Sequence, residues 1–252
     1  MEEKLLFPEE SPENYEGYVA HRFVCDGCPC ILVEPRNPLP GKPWVWKAEF
    51  FEAYPKFELE MLRRGYYLAY MSVGNTFGCP DAMDHFDRFY EFLTAAPYGF
   101  HHRPVLLGLS RGGLYIYNWA SRNPDRVGCL YGDNPVCDFL SWPGGKGTGP
   151  GSPEDWEKLL KDYHFANEEE ARKWPSPLVL VEKLLQNGVP LMHAAATDDE
   201  VVPYGENTVK MEERVRSLGG SLKVFAHPGL HHPHGLEDPA PLADWVQAHT
   251  RP

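Results

Sequence analysis

The sequence predicts an α/β fold in which a mainly parallel, twisted sheet is flanked by helices. Strand-like and helix-like segments alternate through most of the chain, as in such sheets. The 252 residues suit one large hydrophobic core, and a hydrophobic content of 42% with 13% aromatics argues against intrinsic disorder. We therefore expect one domain over residues 1–252, with a small insertion or cap at about 134–175.

Short apolar runs bounded by glycine, proline or polar residues predict the strands, and apolar side chains at three- and four-residue steps predict the helices. The predicted strands are 17–24, 30–33, 43–46, 66–73, 104–109, 127–131, 189–195 and 222–226. The predicted helices are 81–93, 112–121, 153–162, 168–173, 178–187, 204–218 and 241–249. Residues 134–153 are rich in glycine and proline, which favours a binding loop or lid over a loose surface excursion.

The charge of the chain excludes several classes of partner. Lys and Arg number 24 against 36 Asp and Glu, a formal net charge of −12. A nucleic-acid backbone or an anionic lipid surface would need a basic face, so we expect neither as a partner. No run approaches the 18 apolar residues of a membrane span. Residues 1–6 lack the basic and apolar regions of a signal peptide, so we expect a cytoplasmic location unless a leader has been removed.

Three of the six cysteines, Cys25, Cys28 and Cys30, resemble half of a zinc site. A structural zinc usually needs a second pair of ligands at a matching spacing, and Cys79, Cys129 and Cys137 supply none. We therefore expect buried free thiols or one local disulfide here, and no metal.

Residues 108–112, Gly-Leu-Ser-Arg-Gly, match the G-x-S-x-G pattern of a nucleophile elbow. A predicted strand precedes this pattern and a predicted helix follows it, which is the context that the elbow requires. Small residues at 108 and 112 let strand and helix pass closely, while the turn strains the backbone of Ser110. We predict Ser110 as a nucleophile rather than a serine in an ordinary turn, with the backbone N–H of Arg111 as an oxyanion donor.

A serine hydroxyl also needs a base to accept its proton and a carboxylate to orient that base. Acidic residues at 198–200 follow one downstream strand, and histidines at 227–234 follow the next. We therefore expect the acid among residues 198–200 and the base among the histidines of 227–234.

These segments resemble the α/β-hydrolase fold of serine esterases and peptidases. The match consists of the elbow at 108–112, residues 199–203 against the D-x-x-V-P acid loop of that fold, and the Gly-Leu-His turn at 229–231. The chain also resembles a bacterial group of uncharacterised or carbohydrate-linked α/β-hydrolases. The shared stretches are Pro-Trp-Val-Trp at 43–46, Ser-Arg-Gly-Gly at 110–113, Ser-Trp-Pro-Gly-Gly at 141–145 and His-His-Pro-His at 231–234. The resemblance extends from about residue 17 to 245 and is specific for the fold rather than the substrate.

Two acids compete with Asp199 for its role. The D-x-x-V-P register favours Asp199 over Asp198, which would then cap the turn. Asp133 follows the predicted strand 127–131, a position where some members of the fold carry the acid. Both remain alternatives on the sequence alone.

Two histidines compete with His231 in the same way. His231 follows the Gly229 turn as the resemblance implies, His232 is a competing base, and His234 is more distant. Four histidines in eight residues also suggest a metal site. Metal-binding histidines usually converge from separate elements with a carboxylate or cysteine, so we expect no metal here.

The resemblance implies a second oxyanion amide in the loop after an early strand, usually at His-Gly. This chain has no His-Gly there. Lys-Ala-Glu-Phe at 47–50 takes that place, so we expect the second donor near Ala48. Trp46 and Glu49 would then either line the pocket or belong to the core.

Together these features predict a carboxylesterase-like serine hydrolase that forms an acyl-enzyme, acts on a small-molecule ester and needs no cofactor. Arg111, Asn75 and Thr76 offer polar contacts and Trp142 an aromatic wall, which favours short-chain, aryl or carbohydrate acetyl-type esters. For Arg111 a structural ion pair is the equal alternative. A small serine peptidase and a catalytically silent binding protein remain alternative functions. The sequence does not predict an oligomeric state.

Overall fold

The computed structural model describes residues 5–7 and 11–250 of the chain. Its strands are β1 Ser11–Tyr15, β2 Tyr18–Cys25, β3 Cys28–Val33, β4 Trp44–Lys47, β5 Tyr67–Met71, β6 Val105–Leu109, β7 Cys129–Asp133, β8 Leu191–Ala196 and β9 Leu222–His227. They form one sheet in the order β1-β2-β3-β5-β4-β6-β7-β8-β9. The first three pairings are antiparallel, and those from β5 to β9 are parallel. The predicted fold class is thus confirmed.

Helices cover both faces of this sheet. They are α1 Lys56–Arg63, α2 Pro80–Thr94, α3 Gly112–Arg122, α4 Pro153–Asp162, α5 Glu168–Lys173, α6 Pro177–Gln186, α7 Lys210–Ser217 and α8 Ala240–His249. Apolar side chains of α1 and α8 pack on one face, and those of α2, α3, α6 and α7 pack on the other. None of the helices in the described part of the chain has the length and apolar character needed to cross a bilayer.

Besides a short 3₁₀ turn at Pro124–Arg126, the structure adds two elements that the sequence pattern did not predict. The first is β1, a polar edge strand that pairs with β2 without an alternating apolar pattern to mark it. The second is α1, whose apolar face is interrupted by Glu58, a charged residue that is 1% exposed. Glu58 forms a buried ion pair with Lys47 at the end of β4.

Most predicted boundaries move by one or two residues, and two of these changes alter the interpretation. The strand predicted at 127–131 is shifted by two residues, so Asp133 is the last residue of β7 rather than part of the loop. The helix predicted at 204–218 begins with a π-helical turn, Gly205–Val209, before α7 starts.

Trp46 belongs to the core, where its ring packs against those of Phe86 and Trp119.

All six cysteines are free thiols. Cys25 and Cys28 face each other across the β2–β3 hairpin. Burial raises the pKa of Cys25 to about 11.

The signal-peptide expectation concerns residues 1–4 for the most part, and these lie outside the described residues.

Candidate active site

Ser110 occupies a sharp turn between the end of β6 and the start of α3. Its backbone φ is +50°, in the left-handed region that non-glycine residues seldom adopt. A Cβ atom on Gly108 would lie 2.4 Å from the carbonyl oxygen of Gly112, so strand and helix leave no room for a side chain. The strained turn therefore depends on glycine at position 108, and it lifts the Ser110 hydroxyl above the sheet.

A continuous hydrogen-bonded chain joins Ser110 to His231 and Asp199. Ser110 Oγ lies 3.0 Å from His231 Nε2, and His231 Nδ1 lies 2.6 Å from Asp199 Oδ2. The other carboxylate oxygen, Asp199 Oδ1, accepts the backbone N–H groups of Val201 and Val202, each at 2.9 Å. Asp199 and His231 are both buried. The three side chains come from loops after β6, β8 and β9, whose carboxyl ends share one edge of the sheet.

The alternative acid Asp198 has a different set of contacts. Its Oδ2 accepts the N–H of Gly229 at 3.0 Å, and its own N–H donates to the carbonyl of Gly229 at 3.0 Å. Asp198 therefore ties the loop that carries the acid to the loop that carries the histidines.

Asp133 is bonded to a different histidine. Its Oδ1 lies 3.1 Å from His234 Nδ1, and its Oδ2 accepts the hydroxyl of Tyr131 at 3.0 Å. The carbonyl of Asp133 also accepts the N–H of Ser110 at 2.9 Å. Asp133 and His234 thus form a second buried acid–histidine pair beside the chain that ends at Ser110.

His232, the competing base, takes no part in the hydrogen-bonded chain from Ser110 to Asp199. It is exposed, and its ring stacks on Tyr54 with a centroid separation of 5.6 Å and an interplanar angle of 15°. Burial, followed by the neighbouring His231 and His234, lowers the pKa of His232.

Asn134 is a site residue that the sequence pattern did not reveal. Its Nδ2 donates to the carbonyl of His231 at 3.2 Å, and its Oδ1 accepts the N–H of Ala196 at 2.7 Å. Asn134 therefore fixes the backbone of the histidine loop relative to the end of β8. The available signal was an amide side chain directly after Asp133, at the same sheet edge as the other polar residues.

The backbone hydrogen bonds narrow the set of N–H groups that are free to act as candidate oxyanion donors. The Arg111 amide lies at the start of α3, where N–H groups have no acceptor within the helix. The N–H of Ala48 itself donates to the carbonyl of Leu107 at 2.9 Å and extends the sheet. Within the expected neighbourhood of Ala48, the next amides, those of Glu49 and Phe50, remain candidates for a second donor.

The side chain of Arg111 is held in a partly buried ion pair. Its Nε donates to Glu49 Oε2 at 2.8 Å, and its guanidinium carbon lies 4.7 Å from the ring centroid of Phe50 and 5.9 Å from that of Phe77. Burial raises the pKa of Glu49, while Arg111 acts in the opposite direction. Since 18% of the Arg111 side chain remains exposed, the ion pair leaves part of it open to a ligand.

Asn75 and Thr76 contribute to the same wall of the site mainly through internal contacts. The N–H and hydroxyl of Thr76 both bond to the hydroxyl of Tyr115, at 2.8 and 3.2 Å. Asn75 Nδ2 donates to Asp155 of α4 at 3.2 Å. The predicted polar contacts at 75 and 76 therefore anchor their loop to the helices.

The long connection from β7 to β8 borders this wall. Trp142 packs on Phe77 with ring centroids 6.2 Å apart. Glu206 accepts the hydroxyl of Ser141 at 2.6 Å and also bonds to the N–H of Thr148. The glycine- and proline-rich segment is thus held in place by side-chain contacts.

A metal could be held in one place among the described residues, where His231, His232 and His234 each bring a ligand atom within 4.8 Å of the others.

Comparison with known proteins places this geometry in a fold family. No protein-family model matches the chain, and no curated protein matches its sequence. Among solved structures, the acylaminoacyl peptidase of Pyrococcus horikoshii superposes with a TM-score of 0.69 at 16% identity. That alignment covers 97% of this chain and 42% of the peptidase, so the chain spans about two fifths of that protein.

Two smaller proteins match over nearly their whole length. Est1E from Butyrivibrio proteoclasticus has a TM-score of 0.64 at 17% identity, covering 91% of this chain and 96% of Est1E. The esterase Pf2001 of Pyrococcus furiosus has a TM-score of 0.61 at 13% identity, with 96% of each chain covered. The chain therefore has the α/β-hydrolase fold that these peptidases and esterases share.

Proposed function

We propose that this protein is a serine hydrolase that cleaves carboxylic esters through a Ser110–His231–Asp199 triad. The observation that carries the proposal is the unbroken hydrogen-bonded chain from Ser110 Oγ through both nitrogens of His231 to Asp199. A serine hydroxyl bonded to an imidazole that a buried carboxylate orients is the arrangement that activates serine for acyl transfer.

The reaction has two steps. His231 Nε2 takes the proton of Ser110 as Oγ attacks the ester carbonyl, and Asp199 stabilises the imidazolium that forms. The amide of Arg111 and one amide from Glu49 or Phe50 bind the oxyanion. His231 then protonates the departing alcohol, and the C–O bond breaks to leave an acyl-enzyme. Water, deprotonated by the same histidine, attacks this intermediate and releases the acid and Ser110.

The substrate class rests on the wall beside the serine. Arg111 offers a partly exposed cation with the partly buried ring of Phe50 beside it, and the buried ring of Phe77 links Arg111 to the partly buried Trp142. A planar or sugar-like group packs well on such faces, so we assign short-chain, aryl or carbohydrate acetyl-type esters. Residues 134–175 would serve as the insertion that completes this wall.

Replacement of Ser110 by Ala tests the proposal directly. The variant should lose hydrolysis of p-nitrophenyl acetate and labelling by a fluorophosphonate probe, because both need the Ser110 nucleophile. The matched control is Ser217→Ala, which removes an exposed hydroxyl on α7 bonded only to a backbone carbonyl. Full activity in Ser110→Ala would refute the proposal. Wild-type protein that the probe does not label would instead favour a catalytically silent binding protein.

A small serine peptidase is the second candidate, favoured by the acylaminoacyl peptidase match over 97% of this chain. The same triad cleaves amides, so the two functions differ in the substrate rather than the machinery. Acetyl, octanoyl and palmitoyl nitrophenyl esters, acetylated sugars and short peptide amides should be compared by kcat/KM. Higher kcat/KM on the peptides than on every ester would replace the esterase assignment.

A further inference from the structure

The loop after β9 brings three imidazole rings together at the candidate active site. The ring centroids of His231, His232 and His234 lie 4.7, 4.8 and 5.1 Å apart in pairs. One candidate ligand atom from each residue lies within 4.8 Å of the other two. Tetrahedral zinc with bonds of about 2.0–2.1 Å places its ligand nitrogens about 3.3 Å apart. Side-chain rotations that shorten each separation by about 1.5 Å at most would therefore bring the three ligand atoms to that spacing.

Two of these rings each bond to a carboxylate through the Nδ1 atom. Asp199 holds Nδ1 of His231, and Asp133 holds Nδ1 of His234. The remaining nitrogen of each ring, Nε2, is then the one available to a ligand. A carboxylate behind a histidine is the arrangement that orients imidazoles and raises their basicity in metal sites. The spacing of the histidines alone did not predict this, because the carboxylates come from distant parts of the chain.

The third ring is accessible from solvent. His232 is exposed, and together with His234 and Tyr54 it lines a cavity of about 490 Å³. This cavity gives a cation a path to His232 and His234, beside which His231 lies, and the net charge of −12 attracts cations to the protein. An imidazole set of this kind suits zinc, cobalt or copper rather than magnesium or calcium.

We propose that His231, His232 and His234 form an inhibitory site for a divalent transition-metal ion. The ion takes the Nε2 lone pair of His231 that otherwise accepts the proton of Ser110, with water in the fourth position. Metal binding follows from the cluster itself, whereas the loss of hydrolysis rests on the proposed function. The ion takes no part in the proposed reaction and acts only by occupying the base, His231.

The binding experiment uses Co²⁺ and the Ser110→Ala variant, which removes the competing hydroxyl and makes the result independent of activity. We expect one equivalent of Co²⁺ to bind with the intense visible absorption of tetrahedral cobalt. In the same background, His232→Gln should weaken binding at least tenfold by removal of a ligand. Asp133→Asn should weaken it by about 10- to 100-fold through loss of the group behind His234. His102→Gln, on an exposed histidine elsewhere, is the control and should leave the Kd unchanged.

Inhibition is then measured in the active protein with Zn²⁺, with Mg²⁺ as the control ion and a chelator to restore hydrolysis. For wild type and for His232→Gln, the hydrolysis rate with Zn²⁺ is divided by the rate without it, and the two ratios are compared. If Co²⁺ does not bind, or if its Kd in His232→Gln is within twofold of the parent, the site does not exist. Binding without inhibition of a measurable esterase would refute the inhibitory role. A wild type without hydrolysis would refute the proposed function and leave the cobalt result to decide the site.

Discussion

The exchange of Asp199 for Asn tests the electrostatic role of the acid without removing its shape. Asp199 Oδ1 accepts two backbone N–H groups, from Val201 and Val202. An Asn side chain would place its oxygen there and turn its NH₂ group towards His231 Nδ1. His231 would then carry its proton on Nε2, which faces Ser110 Oγ at 3.0 Å and could no longer accept the serine proton.

The expected loss follows from the charge as well as the tautomer. At an effective dielectric constant of about 20, a carboxylate about 4 Å from an imidazolium stabilises it by about 4 kcal/mol. At about 1.4 kcal/mol per decade this corresponds to about a thousandfold, and the wrong tautomer extends the loss in kcat towards about 10⁴-fold.

The assay is steady-state hydrolysis of p-nitrophenyl acetate, with Asp198→Asn as the matched control. Asp198 accepts an N–H from Gly229, a contact that an Asn oxygen can keep, so its kcat should stay within about threefold of wild type. The reasoning fails if Asp199→Asn keeps more than a tenth of the wild-type kcat. It fails equally if Asp198→Asn loses as much.

Three further predictions concern the supports of the site. Gly108→Ala places a Cβ 2.4 Å from the carbonyl oxygen of Gly112, so we expect esterase activity to fall at least tenfold with a lower melting temperature; unchanged values for both would contradict the elbow geometry. Lys47→Met leaves Glu58 buried without its partner and should lower the free energy of unfolding by about 3–5 kcal/mol in urea titrations, whereas the double variant Lys47→Met/Glu58→Met should recover part of that loss. Burial lowers the pKa of His193 from 6.5 to about 3, so unfolding takes up a proton below pH 6.5 and stability is lost as the pH falls towards 3. Between pH 7 and pH 4.5, proton uptake by unfolded His193 lowers the free energy of unfolding by about 2 to 3 kcal/mol. The decrease in unfolding free energy over this pH range should therefore be smaller in His193→Gln than in wild type by that amount.

The sheet and the three polar loops could be predicted because each depends on local patterns. Apolar runs mark the parallel strands, the two glycines frame Ser110, and the D-x-x-V-P register separates Asp199 from Asp198. The structure adds the physical reason for that separation: backbone amides two and three residues on hold Asp199 Oδ1.

What could not be predicted depends on contacts between distant residues. Helix α1 was not predicted because the buried Glu58 interrupts its apolar pattern. The ion pair with Lys47 that compensates the charge of Glu58 forms only in the folded chain. The amide of Ala48 is engaged because β6 extends beside it, which no local pattern reveals. The carboxylate behind His234 comes from Asp133, 101 residues earlier in the chain.

The end of β7 has a consequence for engineering this protein. The pair Asp133 and Asn134 supplies no member of the proposed triad, yet its atoms bond to the backbone of Ser110, to the backbone of His231 and to the end of the strand before Asp199. The Asp133 carbonyl belongs to the backbone and stays in place on substitution, whereas replacement of Asn134 would remove both side-chain bonds that tie the histidine loop to the end of β8. A library for altered substrate preference should therefore keep Asn134 fixed and vary the partly exposed Trp142, which has no bond to Ser110, His231 or Asp199.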